Sequence, residues 1–287
     1  MMDRLGVIGV GLIGGSFALA QKRAGRVREI VGFDRDPSVL ERALSLGLID
    51  TASSDPAGAI GSCELVLLSA PVAQTGPILG SIAPWLAAST LLTDAGSTKQ
   101  DVVAAAREAL GEKIGQFVPG HPLAGREQHG PAAAQADLFQ DKKVVLCPLP
   151  ENGAQAVQAV RSAWEAAGAA VLLLEPERHD AALAAVSHLP HLLAYALVDH
   201  VAGAVDGSEK MALAGGGFRD FTRIAASSPE MWRDIALANR EPLLAELDAY
   251  VKHLGTLRTA LARGDGAVLM ALFERASRQR ILWGTKP

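Results

Sequence analysis

Cysteine is nearly absent: Cys63 and Cys147 are the two in 287 residues, far apart, each in an apolar stretch where a thiol behaves as a small hydrophobe. A disulfide framework is excluded as the organising device, a bridge between them has no support in the sequence, and a reducing compartment is expected. Runs of like charge are absent too. The net charge of −4 comes from 27 basic and 31 acidic side chains with no basic stripe or acidic tail, so nucleic acid is not an expected partner. The chain also lacks internal repeats and low-complexity linkers. With 49% hydrophobic residues it can build one large core or two ordinary ones, and two domains packed directly on each other are expected.

Two apolar stretches imitate other things. LGVIGVGLIGGSFALA resembles a signal-peptide core, but Asp3 offsets Arg4 where a secretory signal wants net positive charge, so it reads as mature protein. Ala181 to Val198 is about long enough to span a bilayer, yet Ser187, His188, Pro190 and His191 sit in its middle, and a buried core helix is the better reading. No membrane partner is expected, and a cytoplasmic location is expected.

The first part of the chain alternates strand and helix. Strands are predicted at Leu5 to Val10, Arg28 to Asp34, Glu64 to Ser69, Thr90 to Asp94, around Phe117, at Val144 to Cys147 and at Ala170 to Leu174. Helices are predicted at Leu12 to Ala24, Pro37 to Leu46, Val72 to Leu86 and Lys99 to Leu110. This pattern predicts an α/β domain, a Rossmann-type, doubly wound, mostly parallel sheet over residues 1–174. From 175 to 287 the periodicity is helical, with helices at Pro176 to Ala204, Pro229 to Leu254 broken near Pro242, and Gly266 to Leu282. Gly215 to Gly217 reads as a functional loop.

Gly9-Val10-Gly11-Leu12-Ile13-Gly14 fits GxGxxG. The first glycine makes the tight turn, the second lets a pyrophosphate approach the backbone, and the third lets helix and strand pack closely. Taken alone, the string is equally a flexible loop. Here it follows an apolar strand, opens a helix whose amides can hold phosphate, and precedes Asp34 by 20 residues counted from Gly14. Dinucleotide binding follows, with Gly9, Gly11, Leu12, Ile13, Gly14, Asp34, Arg35, Ser69 and Pro71 as candidate contacts. Asp34 accepts ribose hydroxyls and repels a 2′-phosphate, which favours NAD; Arg35 can pair with that phosphate, so NADP is not excluded.

Three segments and an arginine pair carry candidate chemistry. In Asp94-Ala95-Gly96-Ser97-Thr98-Lys99, one hydroxyl of Ser97 and Thr98 is expected to cap the following helix while the other faces the site. In GHPLAGREQHG, His121 follows a strand and is either a general base or a histidine satisfied by local backbone. His179-Asp180 and Ser187-His188-Leu189-Pro190-His191 place two histidines at i and i+3, a zinc-like spacing for which no further ligands are visible, so no metal is expected. Arg219 and Arg223, four apart, present either two guanidiniums to an anionic substrate or two solvated surface charges.

Together GLIGGS, DAGSTK, GHPLAGREQHG, HD with SHLPH, and AGGGFRDFTRIA with SPEMW resemble the prephenate and arogenate dehydrogenase family of tyrosine biosynthesis, over nearly the whole chain. The resemblance implies a helical C-terminal domain that forms a homodimer, with an active site in the cleft between the domains. It implies hydride transfer from a ring hydroxyl to NAD and loss of the ring carboxylate, giving 4-hydroxyphenylpyruvate from prephenate or tyrosine from arogenate. Within it His121 matches the catalytic histidine, Ser97 the serine that orients it, and Arg223 the arginine on the ring carboxylate. Glu127, His191, Arg219 and Trp232 match residues of the pocket or its gate. Arg219 stands where relatives can carry lysine, which would bias the pocket toward the side-chain carboxylate. An end at Pro287 leaves no room for the regulatory domain or fused mutase of some relatives, so any tyrosine feedback is expected at the active site. A hydroxyacid dehydrogenase or reductase of the same plan, or a dinucleotide sensor without turnover, are the competing readings.

Overall fold

The computed structural model describes residues 1–53, 55, 57–126 and 128–284. Strands β1 (Met2–Ile8), β2 (Val27–Phe33), β3 (Thr51–Ser53), β4 (Leu65–Leu68), β5 (Leu91–Asp94) and β6 (Phe117–Val118) form one parallel sheet in the order β3-β2-β1-β4-β5-β6. Helices α1 (Leu12–Arg23), α2 (Pro37–Ser45), α3 (Ala57–Ile60), α4 (Thr75–Ile82) and α5 (Gln100–Leu110) make the crossovers. The apolar strands explain burial on both faces. Leu5, Val7, Leu65 and Leu67 pack on one side with Phe17 and Trp164, whereas Ile8, Val66 and Leu68 pack on the other with Leu79, Ile82 and Val103, as the two-residue period of a strand dictates.

A single continuous sheet was the expectation from sequence; the structure divides it. β7 (Gly120–Pro122), β8 (Lys143–Leu146) and β9 (Ala170–Leu173) form a separate three-stranded sheet in which β7 runs antiparallel to β8, and α6 (Ala154–Ala166) joins β8 to β9. The break falls at Pro119, which has no N–H for a ladder, and the next amide, Gly120 N, donates to the Asp94 carboxylate at 2.8 Å. Alternation in sequence identifies strands but not the sheet each one joins. His121 is consequently a strand residue paired with Val145, not a loop residue.

Helices α7 (Pro176–Leu183), α8 (Leu189–Ala202), α9 (Gly207–Ala212), α10 (Gly216–Thr222) and α11 (Pro229–Ala238) complete a compact unit of residues 1–240. A π-helical turn, Ala184–His188, joins α7 to α8, where Pro190 removes one helical N–H and the backbone widens around it. Gly216 and Gly217 begin α10 rather than forming a loop. The second unit, residues 241–287, contains most of α12 (Arg240–Arg263) and α13 (Gly266–Gly284). Pro242 lies in the first turn of α12, where proline is tolerated, and the expected break sits at Asn239 instead.

Among the described residues, Pro176–Ala202 is the one helical run long and apolar enough to cross a bilayer, with a window of mean hydropathy 1.6 of which 28% is buried. The expected core helix is therefore core along one side only. Its buried side carries His179, Asp180 and His188, polar groups held by partners described below. Cys63 and Cys147 are free and buried, and burial pushes their thiols up to about 11 and about 12.

Candidate active site

Strand order reverses between β1 and β4, so their carboxyl ends open a crevice in which a parallel sheet takes its ligand. The glycine turn lies there. Gly9 has φ +87°, and a Cβ on it would come within 2.5 Å of Ser69 O; one on Gly14 would lie 2.2 Å from Gly9 O, whereas one on Gly11 would meet nothing within 4 Å. Gly9 and Gly14 are thus required by the protein's own packing, and Gly11 leaves open space beside the backbone. α1 begins without a side-chain cap, which leaves the first-turn amides of Leu12 and Ile13 to a phosphate. Asp34 is half-buried at the end of β2 and accepts from Val10 N at 3.3 Å and Asp36 N at 3.1 Å. Each carboxylate oxygen retains acceptor capacity for a ribose hydroxyl, so the crevice fits NAD. Arg35 is exposed beside it, Ser69 half-buried and Pro71 exposed on the β4 side.

From the same edge of the sheet, β5 delivers Asp94 and the turn to α5. Asp94 accepts from Gly96 N and Gly120 N, both at 2.8 Å, and pairs with Lys99 Nζ; both side chains are out of water. The expected hydroxyl cap on α5 is absent. Asp180, eighty residues away, accepts from Lys99 N and Gln100 N at 2.8 Å each, and the Thr98 hydroxyl is buried with no partner among the described residues. A carboxylate at a helix N-terminus is better placed than a hydroxyl, since it meets the positive end of the helix dipole. Burial works to raise the Asp180 pKa, but hydrogen bonds from His179 and the two amides overcome it and hold the carboxyl below its ordinary value.

His121 meets this network through its ring. Its Nδ1 lies 2.8 Å from His179 Nε2, and His179 Nδ1 lies 2.7 Å from Asp180 Oδ1. Burial, with lesser contributions from Lys99, His179 and His188, holds the His121 pKa well below the ordinary histidine value, so the ring is neutral. Ser97 is half-buried in the adjacent turn, and among the described residues it makes no hydrogen bond with that imidazole; His179 takes the place.

Asn239 closes the network on the far side. Its Nδ2 donates to Asp180 O and to His188 Nδ1, each at 2.9 Å, and burial lowers the His188 pKa to about 4. The Trp232 ring lies 6.0 Å from that of His188 and stacks on His191 at 3.5 Å and 19°. His191 donates through Nδ1 to Ser187 O, and its pKa is lowered by burial and by the nearby Arg223 guanidinium. A chain of contacts thus runs from His121 to His191, and the charge of Arg223, exposed just after α10, acts on His191. Arg219 is exposed in the last turn of α10. Glu127 lies outside the described residues. His188 and His191 each have partners, and no cluster of metal-ligating side chains occurs among the described residues.

Lys99, Asp94 and Asn239 were not singled out from sequence. The five-residue spacing of Asp94 and Lys99 inside DAGSTK was an available signal; Asn239 had none. A groove of about 700 Å³ lined by Met1, Gln21, Arg26, Glu64 and Ser162 opens at the amino ends of the strands, away from these groups.

Residues 17–173 match the nucleotide-binding domain of prephenate dehydrogenase and residues 175–275 its dimerization domain. The cyclohexadienyl dehydrogenase of Zymomonas mobilis is 39% identical, the match covering 98% of this chain and 96% of the relative. The prephenate dehydrogenase of Bacillus subtilis is 36% identical, covering 98% and 76% respectively. Aquifex aeolicus prephenate dehydrogenase, solved with hydroxyphenyl propionate and NAD+, superposes with a TM-score of 0.92 at 34% identity and 98% coverage of both chains. With a fold of dinucleotide-binding sheet and helical region, and with the motifs in order along its length, the chain belongs to the prephenate dehydrogenase family.

Proposed function

We propose that this protein is an NAD-dependent dehydrogenase that oxidatively decarboxylates prephenate to 4-hydroxyphenylpyruvate, and arogenate to tyrosine where the pocket admits an amino side chain. The observation that carries the reading is the buried neutral imidazole of His121 at the carboxyl edge of a dinucleotide-binding sheet, linked by contacts to His191, on which the Arg223 charge acts. NAD, when bound, accepts the hydride from the ring carbon that bears the hydroxyl. The turn from Gly9 to Gly14, including Leu12 and Ile13, holds its pyrophosphate, Asp34 takes the ribose hydroxyls, and Ser69, Pro71 and Arg35 flank it. His121 takes the hydroxyl proton and is restored by solvent. Ser97 supplies a second polar group beside the reacting ring.

Arg223 binds the ring carboxylate, because an anion moved out of water needs a paired cation. His191 and Trp232 form one wall, with Arg219 at its mouth, and Glu127 matches a further pocket residue of the family. The ring carboxylate leaves as carbon dioxide without an acid, since the dienone formed by oxidation accepts its electrons. We further infer a cytoplasmic homodimer divided functionally at residues 174 and 175, with the C-terminal helices as the dimer contact. Leu254, Leu261, Phe273, Ile281 and Trp283 of α12 and α13 are exposed and suit burial against a second copy. The test is absorbance of NADH with purified protein, NAD and either substrate. Binding of NAD without NADH formation from prephenate or arogenate overturns the reading.

A further inference from the structure

The hydrogen bonds behind His121 have a direction. Lys99 N and Gln100 N can only donate, so both Asp180 oxygens are acceptors. Asp180 is an ionised carboxylate, which also can only accept, so His179 Nδ1 carries a proton and donates it to Oδ1 at 2.7 Å. A neutral imidazole with its proton on Nδ1 has a lone pair on Nε2. That lone pair faces His121 Nδ1 at 2.8 Å, so His121 carries its own proton on Nδ1 and presents a bare Nε2.

We propose that His179 and Asp180 are positioning residues that fix the tautomer of His121 and make its Nε2 the atom that accepts the substrate proton. The proposal rests on the dehydrogenase reading and deepens it. In the step it governs, the substrate O–H bond breaks, an Nε2–H bond forms on His121, and the hydride leaves the same carbon for NAD. The resulting imidazolium donates through Nδ1 to His179, with the Asp180 carboxylate one ring further back. The opposite tautomer would put a proton on Nε2 and leave no base. A carboxylate that sets an imidazole's tautomer is known from the serine protease triad; here a second imidazole stands between them.

The surroundings favour this assignment. Among the described residues, the charged and titratable groups around His121 include Lys99 and Asp94 from the β5 to α5 turn, His179 and Asp180 from α7, and His188 from the π turn. Lys99 already places one cation there, and its partner is Asp94. Asp180 is therefore the one carboxylate among these groups that faces the histidine pair, and the α5 amides hold it rigidly. His179 is fully buried, so water does not supply an alternative partner.

Two measurements test the proposal. In wild-type protein with ¹⁵N-labelled histidine, long-range ¹⁵N–¹H correlation spectra identify which ring nitrogen of His121 is protonated, with His121→Asn assigning the signals. The proton is expected on Nδ1; a proton on Nε2 overturns the proposal. Separately, His179→Leu should lower kcat by roughly 10²-fold with KM for substrate little changed. His179→Gln, whose amide oxygen can accept from Nδ1, should recover much of the loss. Unchanged kcat in His179→Leu overturns the proposal, as does equal loss in both variants when both bind NAD and melt like wild type. If His179→Leu fails to fold, the nitrogen spectrum of the wild type decides alone. A wild type that forms no NADH defeats the dehydrogenase reading instead, while the spectrum still tests the tautomer.

Discussion

Lys99 and Asp94 form an ion pair with 0% and 2% of their side chains exposed, and Asp94 also receives the amides of Gly96 and Gly120 on either side of it. Through its bond from Gly120 N, the Asp94 carboxylate ties the end of β5 to the start of β7. One carboxylate therefore sets the position of the strand that carries His121.

Breaking that pair from one side leaves a buried charge uncompensated. Lys99→Met is expected to lower the free energy of unfolding by about 3–5 kcal/mol, read from urea denaturation. Asp94→Asn should cost a similar amount, and the double variant less than the sum of the two. Additive losses would show that the two groups do not act as a pair.

Substitution at the base and at the anion site should separate in kinetics. His121→Asn is expected to lower kcat by roughly 10²–10⁴-fold with substrate affinity nearly intact. Arg223→Gln should mainly raise KM for prephenate. Full activity in the His121 variant would remove that ring from the chemistry.

The two glycines of the turn should fail differently. Gly14→Ala places a Cβ 2.2 Å from Gly9 O, whereas Gly11→Ala meets nothing within 4 Å. The first should lower the melting temperature of the protein without cofactor; the second should leave it unchanged and weaken NAD binding by at least roughly tenfold, ~1.4 kcal/mol. Calorimetric titration with NAD distinguishes them, and tight NAD binding by Gly11→Ala would mean the pyrophosphate does not lie over that residue.

Stability should fall as the solution is acidified. His121, His188 and His191 all have lowered pKa values, His188 to about 4. Below the ordinary histidine value, about 6.5, the unfolded chain binds protons that the folded protein refuses. The contribution is fully present above that value and is lost as pH falls through the folded values, about 4 for His188. Urea midpoints between these limits should decline, and His188→Gln should flatten the decline. For the same reason the acid limb of kcat/KM should lie below the usual histidine range, and Lys99→Met should move it upward.

The sequence by itself determined what local chemistry governs. Alternating apolar strands and helices specify a Rossmann-type domain, because periodicity reports which faces are buried. GxGxxG with Asp34 specifies the dinucleotide turn, because only glycine tolerates the contacts at Gly9 and Gly14. The ordered motifs identified the family. Tertiary structure alone decided the contacts between residues far apart in the chain: that Pro119 sends β7 into a second sheet, that Asp180 rather than Ser97 or Thr98 caps α5, and that Asn239 joins Asp180 to His188. Each pairing satisfies a buried polar group, a requirement every such group has but whose partner no local pattern names. His121 could be picked out from its motif, but the direction of its hydrogen bonds exists only once α7 has packed against the start of α5.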